Sequence, residues 1–149
     1  KNFGLGYLED PLEQRDSNRF EHLMEKGNDC MIVGDDLVAS QIERLERLIR
    51  FKAINATIVK PNQNGSLLEV RKIFDICKKK GIKTIMSHRS GETTDDALAD
   101  LAFAFGADYI KCGVKGKERE AKLKRMIEIE TNMQVKMQCC IIPKNEKIE

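Results

Sequence analysis

The stretch IMSHRSGETTDD, residues 85–96, sets Ser87, His88, Arg89 and Ser90 side by side just past a short apolar run, in a chain with only two histidines. Hydroxyls, an imidazole and a guanidinium are donors for a phosphate or carboxylate, and arginine adds a bidentate fork. Four more residues stand at comparable places: Glu9 in YLEDPL, Asp35 in VGDDL, Lys60 in VKPNQNG and Lys111 in YIKCG. Glu9 and Asp35 are hard oxygen ligands suited to Mg²⁺, which takes few protein carboxylates and keeps several waters. Two carboxylates make a thin metal site, and any further ligand has to come from outside these residues. A lysine held among other cations can act as a base, with Lys60 the candidate and Lys111 its neighbouring cation. Metal, lysine base and anion clamp together suit the removal of a proton next to a carboxylate. That step puts a second negative charge on the carboxylate, which divalent cations and fixed ammonium groups make tolerable. Each residue alone has an ordinary explanation. Glu9-Asp10-Pro11 reads as a turn or helix start, Asp35-Asp36 as a helix-start pair, Lys111 as a snorkelling lysine and His88 as a structural histidine.

The elements that would carry these residues recur with a period. Short apolar runs predict strands over Gly6–Leu8, Cys30–Val33, Ala56–Val59, Thr84–Met86 and Tyr109–Ile110. Amphipathic segments between them predict helices over about Asp16–Lys26, Gln41–Phe51, Ser66–Lys79, Asp95–Phe105 and Lys117–Ile129. The third is clearest: Leu67, Leu68, Val70, Ile73, Phe74 and Cys77 fall at helical spacing, Ser66 is placed to cap, and Gly81 follows the end. After Lys60, Pro61-Asn62 reads as a break. Strands alternating with helices predict an α/β fold on a parallel sheet. Glu9, Asp35, Lys60, His88 and Lys111 end the five strands, roughly 25 residues apart. In a (β/α)8 barrel the active site is built at such ends, and a whole barrel takes about 250 residues. The 149 residues here allow about five βα units, part of a TIM-type barrel that is incomplete in this chain. Residues 1–130 are expected to form this partial barrel domain, and residues 131–149 a tail. Two raw strand edges would remain, inviting self-association or a tail folded over one edge.

Composition narrows the partners. Lysine and arginine total 26 against 24 acidic residues, a net charge of +2, with no strongly basic face for nucleic acid. No run approaches the roughly 20 apolar residues that cross a bilayer, and the start shows no signal-peptide pattern. Five cysteines without a Cys-x-x-Cys pair read as reduced thiols of a cytoplasmic protein, the vicinal Cys139 and Cys140 being the most oxidation-prone if exposed; a zinc site is not expected. The first residue is Lys1 rather than methionine, so the chain reads as a piece of something longer.

YLEDPL, VGDDL, VKPNQNGS, SHRSGETTDD, ADLA and YIKCG closely resemble, in order and spacing, the motifs of the enolase family within its C-terminal barrel, of an archaeal-like type. The resemblance runs from about Gly4 to Glu130, and the Ser-His-Arg-Ser-Gly-Glu-Thr run is specific to enolase proper. It implies reversible dehydration of 2-phosphoglycerate to phosphoenolpyruvate, a lyase reaction of glycolysis and gluconeogenesis with Mg²⁺ as cofactor. It implies that Glu9 and Asp35 hold the metal, with Glu9 also facing substrate, and that Lys60 takes the proton from C2. It further implies that Ser87, His88, Arg89 and Ser90 form the substrate-binding loop, and that Lys111 meets the substrate carboxylate. A homo-oligomer is expected, with a small phosphorylated acid as partner. The family's third metal carboxylate, general-acid glutamate and N-terminal domain would lie upstream of Lys1, so this chain alone is expected to be inactive. Residues 112–130 depart from the commoner family ending, and 131–149 match nothing placeable in it. Two other readings stay open: a shortened enolase-like protein that binds an anion or partner without turnover, and a relative using the same groups on a different acid. The Ser87–Thr93 run argues against the second.

Overall fold

The computed structural model describes residues 4–27 and 30–136. In chain order these form β1 (Tyr7–Glu9), α1 (Ser17–Lys26), β2 (Met31–Gly34), α2 (Ile42–Arg50), β3 (Ala56–Val59), α3 (Pro61–Asn64), α4 (Leu67–Lys80), β4 (Lys83–Ser87), α5 (Ala97–Phe105), β5 (Tyr109–Lys111) and α6 (Lys117–Met133). All five expected strands and five expected helices are present. Local chemistry sets their limits. Asp16 accepts from the Arg19 amide to open α1, and Ser66 accepts from the Glu69 amide to open α4. Gly81 closes α4 at φ 69°, a left-handed conformation that a side chain would strain.

Several boundaries differ from the sequence reading. β2 ends at Gly34 and β3 at Val59, so Asp35 and Lys60 stand one residue beyond their strands. Pro61 starts a short helix, α3, instead of breaking the chain, because a proline at the first helical position has no amide that the helix would use. β4 runs through Ser87, so Ser87 and not His88 is the last residue of that strand. At the other end of the chain, α6 continues to Met133, past the expected boundary at residue 130. Cys139, Cys140 and the rest of the expected tail beyond residue 136 lie outside the described residues.

The strands make one sheet in the order β1-β2-β3-β4-β5, each pair parallel. Sequential order with a helix after every strand is the βα repeat the sequence predicted. Side chains alternate across it. Leu8, Ile32, Val59, Met86 and Ile110 face the helices, joining Phe20, Leu45, Leu48, Val70, Ile73, Phe74 and Cys77 in the main core. On the opposite face Tyr7, Met31, Val33, Ala56, Ile58, Ile85 and Tyr109 pack together as a second, smaller core. Gly34 permits a close approach on the helix side, where an added Cβ would stand 2.8 Å from Val38 Cγ2.

The sheet is strongly curved. Four inter-strand steps of ~4.8 Å would put the edges of a flat sheet about 19 Å apart. Yet Lys111 at the end of β5 lies 2.7 Å from Glu9 at the end of β1, closer than those two side chains could span a flat sheet. The five parallel strands thus form a curled, incomplete barrel with the Tyr7–Tyr109 face inside. Among the described residues, β1 and β5 each pair on one side only.

Candidate active site

Strand periodicity delivers the site. Glu9, Asp35, Lys60, Ser87 and Lys111 each follow by two residues an inward-facing member of the small core: Tyr7, Val33, Ile58, Ile85 and Tyr109. With a side-chain period of two, each points to the same concave face, at the C-terminal rim of the sheet. His88 has the other parity, at the step out of the strand.

Two ion pairs cross the rim. Lys60 Nζ lies 2.6 Å from Asp35 Oδ1 and 2.7 Å from Oδ2, both side chains largely buried. Lys111 Nζ donates to both Glu9 oxygens at 2.9 and 2.7 Å. Tyr7 adds its hydroxyl to Glu9 Oε2 at 2.8 Å. Burial, with the Glu9 hydrogen bond and charge beside it, pushes the Tyr7 phenol far above its usual value, so it stays a donor. Burial would raise Glu9 too, but the hydrogen bonds from Lys111 and Tyr7 outweigh it and hold the carboxyl below the ordinary range. Asp35 goes the other way. Burial raises it, Lys60 offsets only part of that, and the charges of Glu9 and Asp36 add to the rise.

The donor set suits a hard divalent cation as far as it goes. Two adjacent carboxylates converge, and the buried Asp35 Oδ1 has the charge contact with Lys60 but no hydrogen-bond donor among the described residues. No group of three metal-ligating side chains occurs among the described residues. Glu9 and Asp35 are thus two of the oxygen ligands that such a cation would take.

The loop after β4 is divided. Ser87 is buried and donates to the His88 carbonyl at 3.0 Å. His88 is half-buried and turns Nδ1 toward Glu92, 2.8 Å away. Arg89 and Ser90 are exposed beside it, and among the described residues Arg89 has no carboxylate partner. The structure thus gathers Glu9, Asp35, Lys60 and Lys111 into paired charges, with Ser87 on the same rim, and leaves Arg89 and Ser90 facing solvent.

Supporting residues went unrecognised in the sequence. Asp10 receives the amides of Asp35, Asp36 and Leu37 at 2.9, 2.7 and 3.4 Å, binding the loop after β2 to the end of β1. Buried Ser40 receives the Lys60 amide at 2.9 Å and donates to Gln63 Oε1 at 2.9 Å, while Asn64 donates to its carbonyl at 2.8 Å. α3 therefore sits where it can clamp the loop carrying Asp35 to the loop carrying Lys60.

The sequence matches the family described as enolase, C-terminal TIM barrel domain, over residues 1–140. The chain belongs to the enolase family. It is 44% identical to the enolase of Methanocorpusculum labreanum over 132 residues, covering 87% of this chain and 33% of that protein. It is 42% identical to that of Picrophilus torridus over 134 residues, covering 89% and 34%, and 44% identical to that of Archaeoglobus fulgidus over 131 residues, covering 88% and 33%. These enolase relatives are archaeal, in keeping with the resemblance read from the motifs. The chain spans about a third of the length of the curated enolases it matches. No helix among its described residues is long and apolar enough to cross a membrane.

Proposed function

We propose that this chain carries the base and much of the binding rim of an enolase that interconverts 2-phosphoglycerate and phosphoenolpyruvate. The observation that supports it most is the pairing of two carboxylates with two ammonium groups on one concave rim, next to an exposed arginine loop. Lys60 is the base for C2. Lys111 meets the substrate carboxylate, and Ser87, His88, Arg89 and Ser90 grip the phosphate side. Glu9 and Asp35 hold a divalent cation, Mg²⁺ by their hard oxygen character, with Glu9 also facing the substrate. When bound, that ion stabilises the charge that builds on the substrate carboxylate. Lys60 is largely enclosed beside Asp35, so the proton that its neutral amine takes from C2 is kept from bulk water. The enzyme works in the cytoplasm as a homo-oligomer, with a small phosphorylated acid rather than nucleic acid or membrane as its partner.

The test uses the complete gene product. Lys60→Ala should abolish exchange of the C2 proton with solvent, a loss of at least ~10²-fold for a general base, while ligand binding survives. Arg89→Ala should raise KM and lower kcat together, because the loop positions the phosphate before the proton moves. The 149 residues on their own should show no turnover, since among the described residues no third metal-ligating side chain joins Glu9 and Asp35. Wild-type C2 exchange in Lys60→Ala would sink the assignment. Ligand binding without exchange in the unmodified protein would instead favour an enolase-like binder that holds its anion without turnover.

A further inference from the structure

The residue facing His88 belongs to a second, buried cluster that the mechanism above does not use. Glu92 stands four residues past His88 with its side chain 10% exposed, and His88 Nδ1 lies 2.8 Å from its Oε1. Two permanent cations of α6 flank the same carboxylate: Arg119 Nε at 3.3 Å from Oε1 and Lys122 Nζ at 3.3 Å from Oε2. Lys122 is itself buried, its side chain 4% exposed. Its ammonium also donates to the Thr93 carbonyl and, at 2.7 Å, to the Glu118 carbonyl. A buried lysine that donates to the Thr93 carbonyl and pairs its charge with Glu92 fastens the end of the 88–93 loop to α6.

The chemistry at His88 then puts a hydrogen on Nδ1. Burial alone would raise the Glu92 carboxyl, but His88 and Lys122 outweigh it and hold the group ionised. A carboxylate only accepts hydrogen bonds, so the nitrogen 2.8 Å away has to carry a hydrogen. Nε2, across the ring, makes no hydrogen bond to the described residues and is left for a ligand. We propose that Glu92 is a positioning residue that fixes His88 as its Nδ1–H form and, through Lys122, anchors the anion-gripping loop to α6. That the ligand beyond Nε2 is a phosphorylated acid rests on the enolase reading; the tautomer does not.

The experiment is a long-range ¹H–¹⁵N spectrum of the imidazole rings in the 149-residue chain, at a pH where both are neutral. With only His22 and His88 present, a His22→Gln variant assigns the signals. His88 should show a protonated Nδ1 and a bare Nε2. Glu92→Ala should lose that pattern in favour of the Nε2–H form, and Glu92→Asp should restore it at least in part. A His88 already in the Nε2–H form in the unmodified chain overturns the proposal, as does an unchanged ring spectrum in Glu92→Ala. Should Glu92→Ala not fold, the unmodified spectrum still decides. Addition of 2-phosphoglycerate to the complete gene product probes the enolase reading separately. An Nδ1–H ring that the ligand leaves untouched would count against that reading and for Glu92, whereas a ligand-shifted ring in the Nε2–H form would do the reverse.

Discussion

At Asp10 the backbone takes a left-handed φ of 37°, unusual for a residue with a side chain and best tolerated by aspartate and asparagine. The strain turns the carboxylate back over the amides of residues 35–37, so the loop bearing Asp35 is held by its neighbour from β1. Hydrogen bonds to a charged acceptor contribute about 1.5–3 kcal/mol, and Asp10→Ala should therefore destabilise the chain by about 2 kcal/mol. Asp10→Asn keeps the tolerance for positive φ but not the charge and should fall between. Urea midpoints at unchanged m-value measure this. An alanine variant within ~0.5 kcal/mol of the unmodified chain would mean that the loop holds itself, as ordinary surface substitutions do.

Among the elements, β4 and β5 are pinned at the end away from the site. Asp108, just before β5, takes the Lys83 ammonium at 2.7 Å on one oxygen, and on the other the Thr84 amide at 2.9 Å and hydroxyl at 3.1 Å. Burial would raise its carboxyl, but Lys83 and Thr84 prevail and hold it below the ordinary range. A depressed folded-state pKa means that the unfolded chain takes the proton first. The stabilisation is therefore complete above the ordinary aspartate value near ~3.9 and is lost as the pH falls from there through the lower folded value. Glu9, Glu92 and Asp100 are lowered as well and share this sign, whereas raised Asp35 opposes it. Asp108→Asn should flatten the acid limb of stability against pH, read from denaturant midpoints at a series of pH values. An acid limb as steep as that of the unmodified chain would remove Asp108 from the account.

For the molecule as a whole, the curled sheet has two open edges, and among the described residues nothing pairs with the outer side of β1 or β5. Leu5, beside β1, and Val114, beyond β5, are exposed apolar residues near those edges. Unpaired strand edges template association with other chains. The 149-residue chain should consequently self-associate, its apparent mass by light scattering rising across a concentration series. A mass that stays monomeric throughout would show that the edges are covered by other means.

Among the described residues, the five strands, five of the six helices and the rim residues were legible in the amino-acid sequence because each depends on local periodicity. Short continuous apolar runs predict strands, helical spacing predicts the segments between them, and a polar residue just beyond each run falls at the strand end. That was enough to name Glu9, Asp35, Lys60 and Lys111, and the motif strings were enough to point to the family. What the tertiary structure decided is of longer range. Which of Ser87 and His88 ends the strand followed from the pairing of β4 with β5, because register and not hydropathy assigns a face. Asp10, Ser40 and Glu92 have no periodic signature. Their partners lie 20 to 27 residues away for the first two and on α6 for the third, so only the folded loops bring donor and acceptor together. Pro61 looked like a break because the restriction it puts on the backbone also suits the first position of a helix, and the choice depended on Ser40 and Asn64 meeting. Local chemistry thus placed the charged groups on the rim, and the curvature of the sheet, which no single segment encodes, brought Lys111 to Glu9 across its width.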